Sequence, residues 1–337
     1  MKRQVTLKDI AKKLNVAVST VSRALNDSYE IGPALKAKIV AYANKVAYIP
    51  NVNAQNLKNG HTDLIVVIVP FISSSFFLDF YEELVTYNKE KNYDVILLQS
   101  FNNVEKEAEA LRFVLKHKAT ALIICPVNDN SNLQILKNIQ NNLGPVMIFD
   151  RVGHKLETDK IGVDNCKEIH LLGTEIAKLG AQSILLLCCE NIGENASRIK
   201  GYKKALKREN LDFDPNKVLT IHYESPRDEI ARKIEQKIDE LIQQGIRFDA
   251  VISTTDSLSL AMLGIMHWRK LAVLHYGFCN SPQAYHFLPQ LRAVSLPARQ
   301  MARHVWKRLD ERLDGDSSKL SFKTKLFACV PVINYST

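Results

Sequence analysis

From Leu64 onward, short apolar runs alternate with amphipathic stretches, and this alternation limits the possible folds more than any other feature of the chain. The runs are Leu64 to Val69, Asp94 to Gln99, Ala121 to Cys125, Val146 to Phe149, Ser183 to Leu187, Val218 to Ile221, Ala250 to Ser253 and Ala272 to Tyr276. Runs this short and this uniformly apolar suit strands covered on both faces, since a half-solvated strand alternates with polar residues. Helical spacing fills the intervals at Phe76 to Lys91, Val104 to Lys116, Ser131 to Asn141, Cys166 to Leu179, Ala196 to Glu209, Arg227 to Gln244 and Ser257 to Trp268. Strand and helix in alternation predict an α/β body of parallel sheets. So many strands in roughly 270 residues predict two lobes.

The first 60 residues follow another pattern, with helical spacing and no strand-like run. In VSTVSRALN, Val18 to Asn26, the residues Val18, Val21 and Leu25 would face inward, leaving Ser19, Thr20, Ser22, Arg23 and Asn26 outward. Small donors around one long fork suit a helix in the DNA major groove, where Arg bonds the O6 and N7 of guanine together. Ahead of it, Leu7, Ile10, Ala11 and Leu14 line a short helix that Asn15-Val16 breaks, and Thr6 with Asp9 resembles a capping box. Gly32-Pro33 opens a third helix, with Leu35, Ile39, Tyr42, Ala43 and Val46 inward and Lys36 and Lys38 toward phosphates.

Helix pairs of this kind also occur in proteins that never touch DNA. Charge separates the two cases. Residues 1–60 hold ten Lys or Arg against three Asp or Glu, so +7 of the chain's net +9 sits in its front. A basic head on a nearly neutral body is the footprint of a DNA-binding module.

TLKDIAKKLNVAVSTVSRALN closely resembles the opening of the lactose and galactose repressor family of bacterial transcriptional regulators (LacI/GalR type), and the resemblance runs to about residue 332. Similar strings recur at FDR (149–151), VDN (163–165), RIKGYKKAL (198–206), FDAVISTTD (248–256), YGF (276–278) and LPARQMA (296–302). The resemblance implies a small all-α helix-turn-helix head over residues 1–49, a hinge helix or linker over 50–61 and an effector-binding and dimerisation body over 62–337. That body would be built like a type I periplasmic binding protein, with lobes of about 62–161 with 295–327 and 162–294 with 328–337. It also implies DNA contacts from Thr6, Val18, Ser19, Thr20, Ser22, Arg23, Asn26 and Tyr48. In AYIPNVNAQNLKNGHT, Asn51 can cap a helix that Asn59-Gly60 stops, too short to be stable alone in water. The family's use of this segment implies two such helices, one per subunit, meeting in the minor groove. Leu57 would wedge between base pairs, Ala54 would allow close approach, and Asn51, Gln55 and Lys58 would touch DNA.

For the cleft between the lobes, the resemblance nominates Arg198, whose fork can hold two hydroxyls or a carboxylate, with Phe76, Phe77, Asp150, Arg151, Tyr223 and Asp256. Cys279 is expected in the same cleft, although it stands where many relatives carry Asp; Thr255 stands where Asn often precedes Asp256, and ISSS precedes the paired phenylalanines. These departures make a standard sugar or purine ligand less secure than the fold. In the head, Ala17 replaces a frequent Ser and Leu35 a frequent Thr, which removes a cap hydroxyl and a phosphate contact.

Other classes lack their marks. The cysteines Cys125, Cys166, Cys188, Cys189, Cys279 and Cys329 form no CxxC pair and mostly sit in or beside apolar runs, so neither a metal site nor a disulfide framework is expected. There is no GxGxxG, phosphate loop, HExxH or convincing GxSxG, so no cofactor and no enzyme activity are expected. No apolar stretch approaches 18 residues, and MKRQVTLKDIAKKL is charged and amphipathic, so the expected location is the cytoplasm, without membrane attachment. The expected function is a homodimeric transcription regulator, a repressor of a near-palindromic operator in double-stranded DNA, controlled by a small effector related to a sugar. The alternatives are a regulator whose cleft has lost its ligand and a solute-binding protein.

Overall fold

The computed structural model describes residues 5–25, 28–48, 62–88, 91, 93–189, 195–222, 229–282, 284, 292–314 and 320–332. The chain divides into a front unit, residues 1–60, and a body, residues 61–337.

The front unit holds α1 (Leu7–Leu14), α2 (Val18–Leu25) and α3 (Pro33–Lys45). Thr6 and Asp9 form the capping box spelled by their spacing: the Thr6 hydroxyl accepts from the Asp9 N–H at 3.3 Å and the Asp9 carboxylate from the Thr6 N–H at 2.9 Å. Asn15 closes α1 in the left-handed region, φ 52°, a conformation its short polar side chain tolerates. Pro33 sits at the start of α3, where its missing N–H costs no hydrogen bond. Ile10, Ala11, Val21, Ala24, Ile39 and Ala43 make the shared core. Two residues expected inside lie outside. Val18 is 40% and Leu35 36% exposed. Both occupy the first turn of their helices, and a core of six small or medium side chains covers only the middle of each.

The body contains two six-stranded sheets. The first is built from β1 (Thr62–Val69), β2 (Asp94–Gln99), β3 (Ala119–Ile124), β4 (Val146–Phe149), β5 (Asp159–Val163) and β11 (Thr324–Phe327), in the order β11-β5-β4-β3-β1-β2, all parallel. The second uses β6 (Ile184–Cys189), β7 (Val218–Ile221), β8 (Ala250–Ser253), β9 (Leu274–Phe278), β10 (Arg292–Ser295) and β12 (Val330–Val332), in the order β12-β10-β9-β8-β6-β7; only β12 runs antiparallel. Helices cover both faces of each. On the first sheet, α4 (Ser75–Tyr87) and α11 (Ala298–Asp314) pack on one face, and α5 (Val104–His117) and α6 (Leu133–Asn142) on the other. On the second, α7 (Asn165–Lys178) and α8 (Asn195–Arg208) oppose α9 (Ile230–Gln243) and α10 (Asp256–Arg269).

Continuous apolar runs follow from this layering. Ile65, Val67 and Val69 of β1 point into one core, while Val66 and Ile68 point into the other. The chain passes between the sheets three times: after β5, between β10 and α11, and between β11 and β12. Each sheet therefore contains strands from distant parts of the sequence, and the carboxyl ends of both sets of strands meet at one cleft.

Candidate functional site

Two surfaces bring the nominated residues together. On the front unit, Ser19 and Arg23 of α2 are exposed, and Thr20 and Ser22 half-buried. The Arg23 guanidinium pairs with Glu30 at 2.9 Å, both side chains in solvent. Glu30 escaped the sequence reading, although it is one of only three acids in the basic first 60 residues. Thr6 spends its hydroxyl on Asp9, and Tyr48 packs, half-buried, on the head core. Asn26, Asn51, Ala54, Gln55, Leu57 and Lys58 lie outside the described residues.

In the body, Phe76, Phe77, Asp150, Arg151, Arg198 and Asp256 line one cavity of about 70 Å³ between the two sheets, joined by Phe71, Ser74, Asn102, Thr254 and Leu296. Phe76 and Phe77 enter from the first turn of α4, ring centroids 5.0 Å apart, and Phe77 also meets Phe149 edge-on. They serve the core and the cavity at once. Asp150 follows β4 with φ 66°, and its carbonyl stands so close to Gly162 that a Cβ there would meet it at 2.9 Å. This left-handed turn sets the Asp150 carboxylate at the mouth of the sheet, 3.7 Å from the Cys125 thiol, whose pKa burial pushes well up.

Arg151 is buried and donates to the carbonyls of Pro126 and Val127 at 2.9 and 2.8 Å and to the Asn102 side chain at 2.7 Å. Arg198, only 7% exposed, donates through Nε to Asn165 at 3.2 Å, while its Nη1 has no acceptor. Asp256 opens α10 behind the capping hydroxyl of Thr255, which accepts from the Leu258 N–H at 3.3 Å. One Asp256 oxygen accepts from the Ser74 hydroxyl at 3.0 Å, the other from the Asn280 N–H at 2.7 Å. Burial pushes its pKa up, and these hydrogen bonds, with one from the Phe76 N–H, pull it back. Ser74 belongs to the first lobe and Asp256 to the second, so this contact ties the lobes across the cleft. Asn280 also brackets Leu296, donating to its carbonyl at 2.8 Å and accepting from its N–H at 2.9 Å. Nothing in the local pattern around Asn280 marked it.

Cys279 corrects an expectation. It is fully buried among Leu263, Ala284 and Ala293 and does not line the cavity. A thiol has no charge to keep hydrated and packs as a small hydrophobe, where an acid would need polar partners. Tyr223 lies outside the described residues.

A larger cavity of about 780 Å³ opens at the amino ends of β8 and β9, by Asp249, His275 and Arg292. Its charged groups are engaged locally: Asp249 accepts from the N–H groups of Gln182 and Ser183, and Arg292 donates to the Tyr276 hydroxyl. The cleft cavity, though smaller, holds more uncommitted polar atoms at the strand ends where ligands of such folds collect. Among the described residues no cluster of His, Cys, Asp or Glu is arranged to hold a metal ion, and no helix is long and apolar enough to cross a membrane.

Residues 6–51 match the profile of the bacterial regulatory proteins, lacI family, and residues 65–290 that of the periplasmic binding protein domain. Over 325 residues the chain is 24% identical to the HTH-type transcriptional repressor PurR of Vibrio atlanticus (strain LGP32), covering 94% of this chain and 95% of that one. It is 22% identical over 344 residues to the HTH-type transcriptional regulator DegA of Bacillus subtilis (strain 168), covering 99% and 98%. The Lac repressor bound to ONPG in its repressed state has a similar fold, with a TM-score of 0.80 at 20% identity over 99% of this chain and all of that one. With a helix-turn-helix head that matches the lacI family of bacterial regulatory proteins, and a two-lobed parallel α/β body that belongs to the periplasmic binding protein domain family, the chain is a DNA-binding transcription regulator.

Proposed function

We propose that the protein represses transcription from the cytoplasm as a homodimer, reading a near-palindromic operator with α2 of each head and releasing or gripping it according to a small, sugar-related effector in the cleft. Two-fold symmetry answers a need: one head reads few base pairs, whereas two heads read paired half-sites and bring the 50–61 segments together. The observation that carries the reading is the cleft itself, where side chains from six distant stretches converge on one cavity between two lobes joined by the Ser74–Asp256 contact. An effector that binds two lobe arrangements unequally shifts their balance; one that binds both equally shifts nothing.

Binding-site selection from random duplexes tests the DNA half. The full chain is expected to enrich a near-palindrome, and Arg23→Ala to relax preference at one position of each half-site, worth about 1–3 kcal/mol of discrimination. Unchanged preference in the variant refutes base reading by Arg23. Leu57→Ala is expected to lower the bend angle of the bound operator, and an equal bend refutes the wedge.

One observation favours a second reading, a regulator without a small ligand. The cleft cavity of about 70 Å³ is far below the roughly 300–1,000 Å³ of pockets that hold drug-sized ligands, so the lobes must part before one enters. Flat thermal-shift curves across sugars, nucleotides and sugar phosphates, with operator binding intact, decide for it.

A further inference from the structure

We propose that Glu30 is a positioning residue for DNA reading: it aims the Arg23 guanidinium at a base edge and cancels its charge toward phosphates, so the head gains sequence preference and loses general affinity. The inference rests on Arg23 reading a base and adds the residue that directs it.

Arg23 is the one charged residue of α2. A free guanidinium in solvent is drawn to any phosphate, an attraction that is Coulombic and carries no sequence information. Guanine offers a neutral edge with two acceptors, which rewards the direction of the N–H groups more than their net charge. A partner that fixes the fork and neutralises it therefore weakens the first contact more than the second.

Glu30 meets that description. Its carboxylate stands 2.9 Å from Arg23 Nη1, with 59% of the Arg23 side chain and 46% of the Glu30 side chain exposed, so the pair faces solvent and closes no core. A guanidinium has five N–H groups, and a carboxylate on Nη1 leaves enough of them for a two-point contact. The backbone sets this pairing. The Ser28 N–H donates to the carbonyl of Arg23 itself at 3.0 Å, the Ser28 hydroxyl accepts from the Glu30 N–H at 3.4 Å, and Ile31 packs against the head core. The stretch 28–31 is thus tied at one end to the turn that carries Arg23 and at the other to the core, with Glu30 between the ties.

Stability does not account for the pair, because exposed ion pairs contribute little. An acid in a head that approaches a polyanion also weakens binding at every sequence unless it serves recognition. The first 60 residues hold three acids: Asp9 closes the capping box of α1, Asp27 lies outside the described residues, and Glu30 meets the arginine of the reading helix.

The test uses the full chain with Glu30→Gln, Arg23→Ala and the double variant, read by selection from random duplexes and by salt titration of binding to a random-sequence duplex. Glu30→Gln removes the charge at nearly constant size, and it is expected to unfold with the wild type on heating. It is expected to bind the random duplex about two- to fivefold more tightly and to steepen the salt dependence by about one phosphate contact per head. It is also expected to lose preference by about threefold or more at the same half-site position that Arg23→Ala relaxes, with no further loss there in the double variant. Tighter binding to every sequence by one factor, with preference unchanged, overturns the positioning role and leaves plain repulsion from phosphates. Preference relaxed at other positions as well, or a further loss in the double variant, overturns action through Arg23. If Glu30→Gln behaves as the wild type while Arg23→Ala relaxes one position, this inference falls and base reading by Arg23 stands. Unchanged preference in Arg23→Ala removes both.

Discussion

At position 275 the chain buries an imidazole in the second sheet, with Nε2 2.9 Å from the Ser253 hydroxyl and Nδ1 without a hydrogen-bond partner. Burial disfavours the charged ring and pushes its pKa down to about 4 from the ordinary 6.5. Unfolded His275 takes a proton below pH 6.5, whereas the folded ring waits until about 4, so its contribution to stability is full above 6.5, is lost as pH falls between them, and levels off below. The loss is about 3 kcal/mol when complete. Urea unfolding of the wild type and His275→Gln at pH 7.5, 5.5 and 4.5 is expected to show the steeper acid loss in the wild type; parallel profiles refute it. Legibility varied at this scale. Thr6 and Asp9 announced their capping box because both partners lie within one turn. Val18 and Cys279 misled because what covers a side chain is decided by distant neighbours, and neither helical spacing nor a substitution at a family position carries that information.

Helix α11 hides part of its buried face behind charge. Arg308 and Arg312 are buried and converge on Asp159 at the start of β5, at 2.6 and 2.8 Å, and the Lys323 N–H adds a bond at 3.0 Å. Arg299 and Arg303 reach the buried Glu83 of α4 at 3.3 and 2.6 Å, and the Arg303 hydrogen bond holds that carboxyl below its usual range. A sequence reading that seeks apolar stripes passes over such a helix, and it passes over β5, β10, β11 and β12, each five residues or fewer. Lys160, Arg292 and Lys325 interrupt the apolar residues of β5, β10 and β11, and β12 is only three residues long, so none of the four shows the apolar run that marked the others. Asp159→Asn strands two buried guanidinium groups and is expected to cost about 3–5 kcal/mol. Chemical denaturation measures it, and a loss under 1 kcal/mol would show that the pair contributes little. Glu83→Gln is expected to weaken the α4–α11 contact at neutral pH and to shrink the stability that the wild type loses as pH falls below about 4.5, since a lowered carboxylate pKa stabilises the fold only while ionised.

In the body as a whole, one bond across the cleft stands apart from both cores. Ser74 to Asp256 joins the first turn of α4 to that of α10, and Ser74→Ala removes it without touching either core. The variant is expected to exchange the amides around 75–80 and 256–260 several-fold faster than the wild type, as read by hydrogen–deuterium exchange. Identical protection would mean that the Phe76 N–H bond to Asp256 and packing hold the lobes without the Ser74 hydroxyl. The two-lobe architecture was legible from alternation, yet the Ser74–Asp256 contact between the lobes was not, because the two residues stand 182 positions apart.

The three passages between sheets also govern how the molecule comes into being. While the ribosome is still making residues 165–295, β5 has no neighbour on its outer side, because β11 has not been translated; β10 in turn waits for β12. A nascent chain thus carries two unpaired strand edges until its last segment emerges, the condition under which strands recruit other chains and chaperones are needed. A stop codon ahead of Thr324 would strip an edge from both lobes at once, so a short truncation at the tail damages the protein far from the tail.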